Sequence, residues 1–134
     1  MNKSEVVGFA CGTFEFLHTG HLDLLKHAKA RCGRLVVGIW ADAVLPLMDR
    51  MDVVGSVRYV DMTMPMYDQD VVAACRKVGA TVFFTGMAKY DSKWRIQEKA
   101  LSEAGIELVC LPDAESVSAR KADTILAELR NQTR

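Results

Sequence analysis

Val6-Val7-Gly8-Phe9-Ala10-Cys11-Gly12-Thr13-Phe14-Glu15-Phe16-Leu17-His18-Thr19-Gly20-His21 is the stretch that decides how the rest of the chain is read. Val6–Cys11 is apolar throughout and predicts a buried strand. The residues after His21, Leu22-Asp23-Leu24-Leu25-Lys26-His27-Ala28-Lys29, predict an amphipathic helix. His18 and His21 therefore sit at a strand-to-helix junction. A helix start carries unpaired N–H groups and partial positive charge, and so attracts phosphate. Histidines there add donors aimed at the same anion, and Gly20 lets a nucleotide approach the backbone.

The remaining chain extends this alternation. Gly20–Cys32 is expected as the first helix, with Leu22, Leu24, Leu25 and Ala28 on its buried face and Gly33 in a left-handed turn past its end. Leu35–Trp40 predicts the second strand. Asp42–Met51 reads as a loop broken by Pro46, and Asp52–Val57 as a short helix. Tyr59–Met64 predicts the third strand, stopped by Pro65. Asp68–Val78 follows as a helix capped by Asp68, then strand Thr81–Thr85. Helix Ser92–Ala104, strand Ile106–Leu111 and helix Ser118–Leu129 complete the pattern, with 131–134 fraying. Apolar strands alternating with helices predict an α/β fold: a doubly wound, Rossmann-like, five-stranded parallel sheet with helices on both faces. Ligands bind such sheets at strand carboxyl ends, where strand order reverses. The first strand should be central, with the fourth as its neighbour across that point.

Composition narrows the function classes. The chain has 134 residues, one domain's worth, so residues 1–134 are read as a single domain. Half the residues are hydrophobic (50%), which excludes a disordered chain. The 17 basic and 17 acidic residues cancel, against a general nucleic-acid binder. No apolar stretch approaches the roughly 20 residues of a membrane span. No signal peptide is visible ahead of the first strand, and a cytoplasmic location is expected. Cys11, Cys32, Cys75 and Cys110 form no CxxC pair and read as small reduced core residues rather than metal or redox groups. Met62, Met64 and Met66 alternate, and core packing is favoured for them over an adaptable acceptor pocket.

The Gly-Thr-Phe-Glu run leading into His18-Thr19-Gly20-His21 resembles the HxGH signature of the nucleotidyltransferase superfamily. Its longer form is most similar to the cytidylyltransferase family, the glycerol-3-phosphate cytidylyltransferase branch among them. The resemblance implies that His18 and His21 are catalytic, donating to the transferring phosphorus and the leaving oxygens. It implies nucleotide contacts from Gly12, Thr13, Phe14 and Gly20, with Phe14 packing under the loop rather than stacking a base. Glu15 stands where the family usually has aspartate. His27 lies outside the motif and is expected exposed.

Further blocks match in part. Arg50 precedes Arg58-Tyr59-Val60-Asp61 at the family's spacing and is the candidate for a triphosphate or acceptor-phosphate contact. Arg58 and Asp61 would bridge to each other or to a dimer partner. Gly86, ending the fourth strand, would approach the nucleoside. Trp94 arrives late in the segment behind it and would either cover the ligand or pack on a helix. Val117-Ser118 matches the Ile-Ser of the family's triphosphate segment, but Asp113 replaces its arginine, so Ser118, Arg120 and Lys121 would supply the contact. Residues 42–50 hold no lysine where the family has one or more, and Lys89, Lys93 and Arg95 would substitute.

The implied activity is transfer of CMP from CTP to a small phosphorylated alcohol or amine, with release of pyrophosphate. Mg²⁺ is expected as cofactor, bound with the triphosphate and without a protein metal site, and a homodimer is expected. Two alternatives stand beside it: an adenylyltransferase acting on a sugar phosphate or FMN, and a catalytically silent nucleotide-binding regulatory subunit.

Overall fold

The computed structural model describes residues 2–86, 92–112 and 117–133, leaving aside the side chains of 92–96, 117–119 and 133. After a 3-10 turn at Lys3–Glu5 come β1 (Val7–Gly12), α1 (Thr19–Lys29), β2 (Arg34–Trp40), α2 (Leu47–Gly55) and β3 (Met62–Met66). The second half is α3 (Val71–Val78), β4 (Val82–Gly86), α4 (Ser92–Glu103), β5 (Glu107–Leu111) and α5 (Val117–Thr133). The five strands form one sheet in the order β3-β2-β1-β4-β5, and every pair is parallel. The expected doubly wound sheet is therefore present, with β1 central and β4 beside it across the reversal of strand order.

Strand alternation divides the core in two. Ala10, Val37, Ile39 and Phe84 face one way and pack with Leu25 and Ala28 of α1 and Val54 of α2. Phe9, Val36 and Phe83 face the other way and pack with Val71 and Cys75 of α3 and Leu101 of α4. Phe9 and Phe83 lie opposite each other across β1 and β4, with ring centroids 6.0 Å apart. Both faces of the sheet are covered, so its strands read as apolar runs rather than alternating ones.

Several boundaries differ from the sequence reading, each for a local reason. Pro46 starts a helix instead of breaking a loop: it caps α2, which begins at Leu47, and Arg50 N–H bonds back to its carbonyl at 3.2 Å. Pro65 lies inside β3 and pairs in register with Ile39, which is tolerated because β3 is an edge strand. Asp70 rather than Asp68 caps α3, its carboxylate accepting from Ala73 N–H at 3.0 Å. Residues 131–133 continue α5 instead of fraying.

Gly79 closes α3 in the left-handed region at φ 74°, as expected. Gly33 is required for another reason: a Cβ there would fall 2.2 Å from the Ser4 carbonyl oxygen. Of the methionine stripe, Met66 is buried and Met64 packs against the core, whereas Met62 is exposed. Cys32 and Cys75 are buried, and Cys11 and Cys110 are half-buried; all four are free thiols.

Candidate active site

The site is built from the carboxyl end of β1 upward. Gly12 ends the strand, and Phe14 turns the chain with φ 49°, a left-handed backbone rare for an aromatic residue. Its ring folds back beneath the loop: a Cβ on Gly12 would meet Phe14 Cε2 at 3.1 Å. Phe14 is buried and sits under the His21 ring, with centroids 5.0 Å apart at 55°. It supports the histidine from the core side.

His18 caps α1 through an unusual reciprocal arrangement. Its Nδ1 accepts from the N–H groups of Gly20 at 3.1 Å and His21 at 3.4 Å. In return, His18 N–H donates to Nδ1 of His21 at 3.3 Å. The two rings stack with centroids 3.8 Å apart at 19°. Both Nδ1 atoms act as acceptors, so the hydrogen of each neutral ring resides on Nε2, the nitrogen turned from the helix backbone. The pair can thus present two aligned donors at a helix start, a geometry suited to phosphate oxygens. The sequence shows the histidines but not that they cap their own helix, because histidine is not a usual N-cap residue.

Arg50 holds the loops behind the histidines. It is buried at 2% exposure and its guanidinium donates to four carbonyls: Leu45 at 2.9 Å, Thr13 at 2.9 Å, Trp40 at 2.6 Å and Ala41 at 3.0 Å. In this structure the arginine expected to contact phosphate stitches the turn after β1 to the end of β2. Arg58 and Asp61 do not bridge each other in this structure. Arg58 lies over the Tyr59 ring at 5.4 Å. Asp61 accepts from Lys29 Nζ at 2.6 Å and from Leu35 N–H at 2.7 Å. Burial opposes ionisation of Asp61, but these hydrogen bonds and the charges of Lys29 and Arg34 outweigh it and lower its pKa.

A cavity of about 210 Å³ opens beside the histidines. Thr13, Glu15, His18 and His21 line one wall, and Ala122, Asp123, Leu126 and Arg130 of α5 line the other. Asp123 and Arg130 are additions that the sequence did not single out; their signal is a helical spacing on α5 legible only once a neighbour is known. Gly86 ends β4 and is buried, as placed. Arg120 is exposed and lines a separate groove of about 510 Å³ with Lys121, Thr124 and Ile125, so the structure does not bring it to the histidines. His27 is exposed and faces Asp23 at 3.4 Å. Lys89 and Asp113 lie outside the described residues, as do the side chains of Lys93, Trp94, Arg95 and Ser118. Among the described residues, no group of three or more His, Cys, Asp or Glu is arranged to hold a metal ion. No described helix is long and apolar enough to cross a membrane.

Comparison with known proteins adds a second line of observation. A family model described as cytidylyltransferase-like matches residues 9–109. The bifunctional protein HldE of Nitrobacter hamburgensis is 30% identical over 128 residues, covering 92% of this chain and 24% of its own length. The HldE protein of Bradyrhizobium diazoefficiens is 33% identical over 103 residues, covering 74% of this chain and 19% of its own. The chain thus spans about a quarter or less of these relatives. A lipopolysaccharide core biosynthesis protein from Thermoplasma volcanium shares the fold with a TM-score of 0.69 and 20% identity, over 83% of this chain and 98% of that one. Pantothenate synthetase from Thermus thermophilus aligns with a TM-score of 0.61 and 15% identity, over 84% of this chain and 58% of that one.

Proposed function

We propose, since the chain belongs to the cytidylyltransferase-like family, that it transfers a nucleoside monophosphate from a nucleoside triphosphate to the phosphate of a small phosphorylated alcohol, amine or sugar. An acceptor phosphate oxygen forms a bond to the α-phosphorus as the bond to pyrophosphate breaks, and that electron pair leaves with pyrophosphate. The observation that carries this reading is the His18–His21 pair, stacked at 3.8 Å with both Nδ1 atoms turned to the backbone of α1. Its Nε2 donors suit the charge that grows on the equatorial and leaving oxygens, where preorganised hydrogen bonds act most strongly. Mg²⁺ accompanying the triphosphate would offset its charge.

The donor and acceptor have two readings. The Gly12-Thr13-Phe14 form of the motif favours CTP with a glycerol-phosphate-like alcohol or amine. The likeness to bifunctional HldE proteins favours adenylyl transfer to a sugar phosphate. A homodimer belongs to the proposal with either donor.

Pyrophosphate release with Mg²⁺ tests both. CTP, ATP, GTP and UTP are crossed with glycerol phosphate, ethanolamine phosphate, choline phosphate, sugar phosphates and FMN, with His18→Ala as control. Turnover with one pair, lost in the control, is the expected result. Nucleotide binding without turnover across the panel would favour a silent nucleotide-binding protein and overturn the transferase reading.

A further inference from the structure

The histidine cavity contains a buried charge that the transfer step does not use. The Glu15 side chain is fully buried (0% exposed). Its Oε1 accepts from Leu45 N–H at 2.7 Å, but Oε2 has no hydrogen-bond donor. Arg130 Nη2 stands 3.8 Å from Oε2, beyond hydrogen-bond reach. A buried carboxylate oxygen lacking a donor is costly, and a ligand that supplies one removes that cost. Glu15 and Arg130 line the same cavity as His18 and His21. Leu45 belongs to the loop between β2 and α2, which carries no lysine.

We infer that Glu15 and Arg130 form the acceptor subsite: Arg130 takes the acceptor's phosphate, and Glu15 Oε2 takes a hydrogen bond from a hydroxyl of the same molecule. The inference rests on the transferase reading and narrows its acceptor to a polyol or sugar phosphate. Arg130 is half-exposed (52%), so the outer part of its guanidinium can take the phosphate while its charge stays beside Glu15. The guanidinium's planar fork of donors matches phosphate oxygens. The hydroxyl then fills the place beside Oε2. Arg130 thus balances the carboxylate's charge, and a neutral hydroxyl supplies the missing donor without crowding in a second cation. Choline phosphate has no N–H or O–H beyond its phosphate and leaves Oε2 unsatisfied. Glutamate in place of the family's aspartate is explained as well: the extra carbon gives the carboxylate the reach to meet α5.

Steady-state kinetics on Arg130→Ala, Arg130→Lys and Glu15→Gln test the subsite, with thermal melts to verify folding. The probes are glycerol phosphate, mannose 1-phosphate, ethanolamine phosphate and choline phosphate. Arg130→Ala is expected to raise the KM of a hydroxylated acceptor about tenfold or more while leaving the KM of the nucleotide nearly unchanged, with Arg130→Lys in between. Wild type is expected to prefer hydroxylated acceptors to choline phosphate by about a hundredfold, and Glu15→Gln to lose most of that preference. Equal changes in both KM values, or choline phosphate serving wild type as well as the polyols, would overturn the subsite. If nucleotide binds but no acceptor turns over, the transferase reading fails. Calorimetry with glycerol phosphate and mannose 1-phosphate then decides the subsite alone. Binding weakened about tenfold by Arg130→Ala supports it; unchanged binding, or none by wild type, overturns it.

Discussion

The two walls of the histidine cavity are built on different principles. The wall from Gly12 to His21 is fixed from behind, with Arg50 buried against four carbonyls and Phe14 wedged under His21. The facing wall is one side of α5, where Ala122 is buried but Arg130 stands half in solvent. Positioning donors for phosphoryl chemistry tolerates little error, because misplacement by about 1 Å costs on the order of a hundredfold in rate. Recognition of an acceptor instead has to admit and release a molecule. The difference teaches that, on the proposed reading, the chemistry falls to a loop held by buried contacts and recognition to the half-exposed face of a helix.

The sharpest way to break that contrast is to loosen the fixed wall. Arg50→Met leaves several buried carbonyls without donors, and urea unfolding should show a loss of about 3–5 kcal/mol. A change near zero would mean that the loops behind the histidines are not held by this side chain. His18→Ala is next. It removes the proposed phosphate donor together with the cap of α1, and kcat should fall by about 10²–10³-fold alongside a stability loss of about 1 kcal/mol. A large stability loss with unchanged kcat would make the histidine a cap and nothing more.

Asp61 joins the far end of α1, the helix that His18 caps, to the start of β2. Its pKa is lowered in the folded protein. Its stabilisation is therefore present above the unfolded value near 4 and lost as pH falls through the folded one. Between pH 7 and pH 3, wild type should lose more of its melting temperature than Asp61→Asn does. Identical profiles would remove Asp61 from the set of anchors.

The smallest effect takes one thiol from each face of the sheet, Cys32 beside α1 and Cys75 on the opposite side. Burial pushes the Cys75 thiol up to about 12, and Cys32 is raised chiefly by burial too. At pH 8 a thiol reagent should leave both unlabelled until urea is added. Prompt labelling of Cys75 in the native protein would show that the α3 face opens more readily than the packing indicates.

The sheet was legible in the sequence because its strands are apolar runs separated by turn signals, and the histidine pair because its context is local. Arg50 was not. Its partners are carbonyls at positions 13, 40, 41 and 45, and no side-chain pattern marks an acceptor that every residue carries. In the sequence Pro65 signals a stop, since a proline breaks a central strand; that β3 lies at an edge is decided by topology alone. Asp123 and Arg130 stayed hidden for a related reason. A charged residue on a helix looks solvated until the element facing it is known.

The position of β1 between β2 and β4 bears on how the protein is made. During synthesis β1 is followed directly by α1 and β2 and can pair with β2 within one βαβ unit. It waits for residues 82–86 before its other edge is covered. Parallel pairings over such separations close slowly, and they leave an apolar strand edge open while they wait. The cavity waits longer still, since one wall lies at residues 13–21 and the other at residues 122–130. In a nascent chain this cavity is therefore incomplete until α5 has left the ribosome.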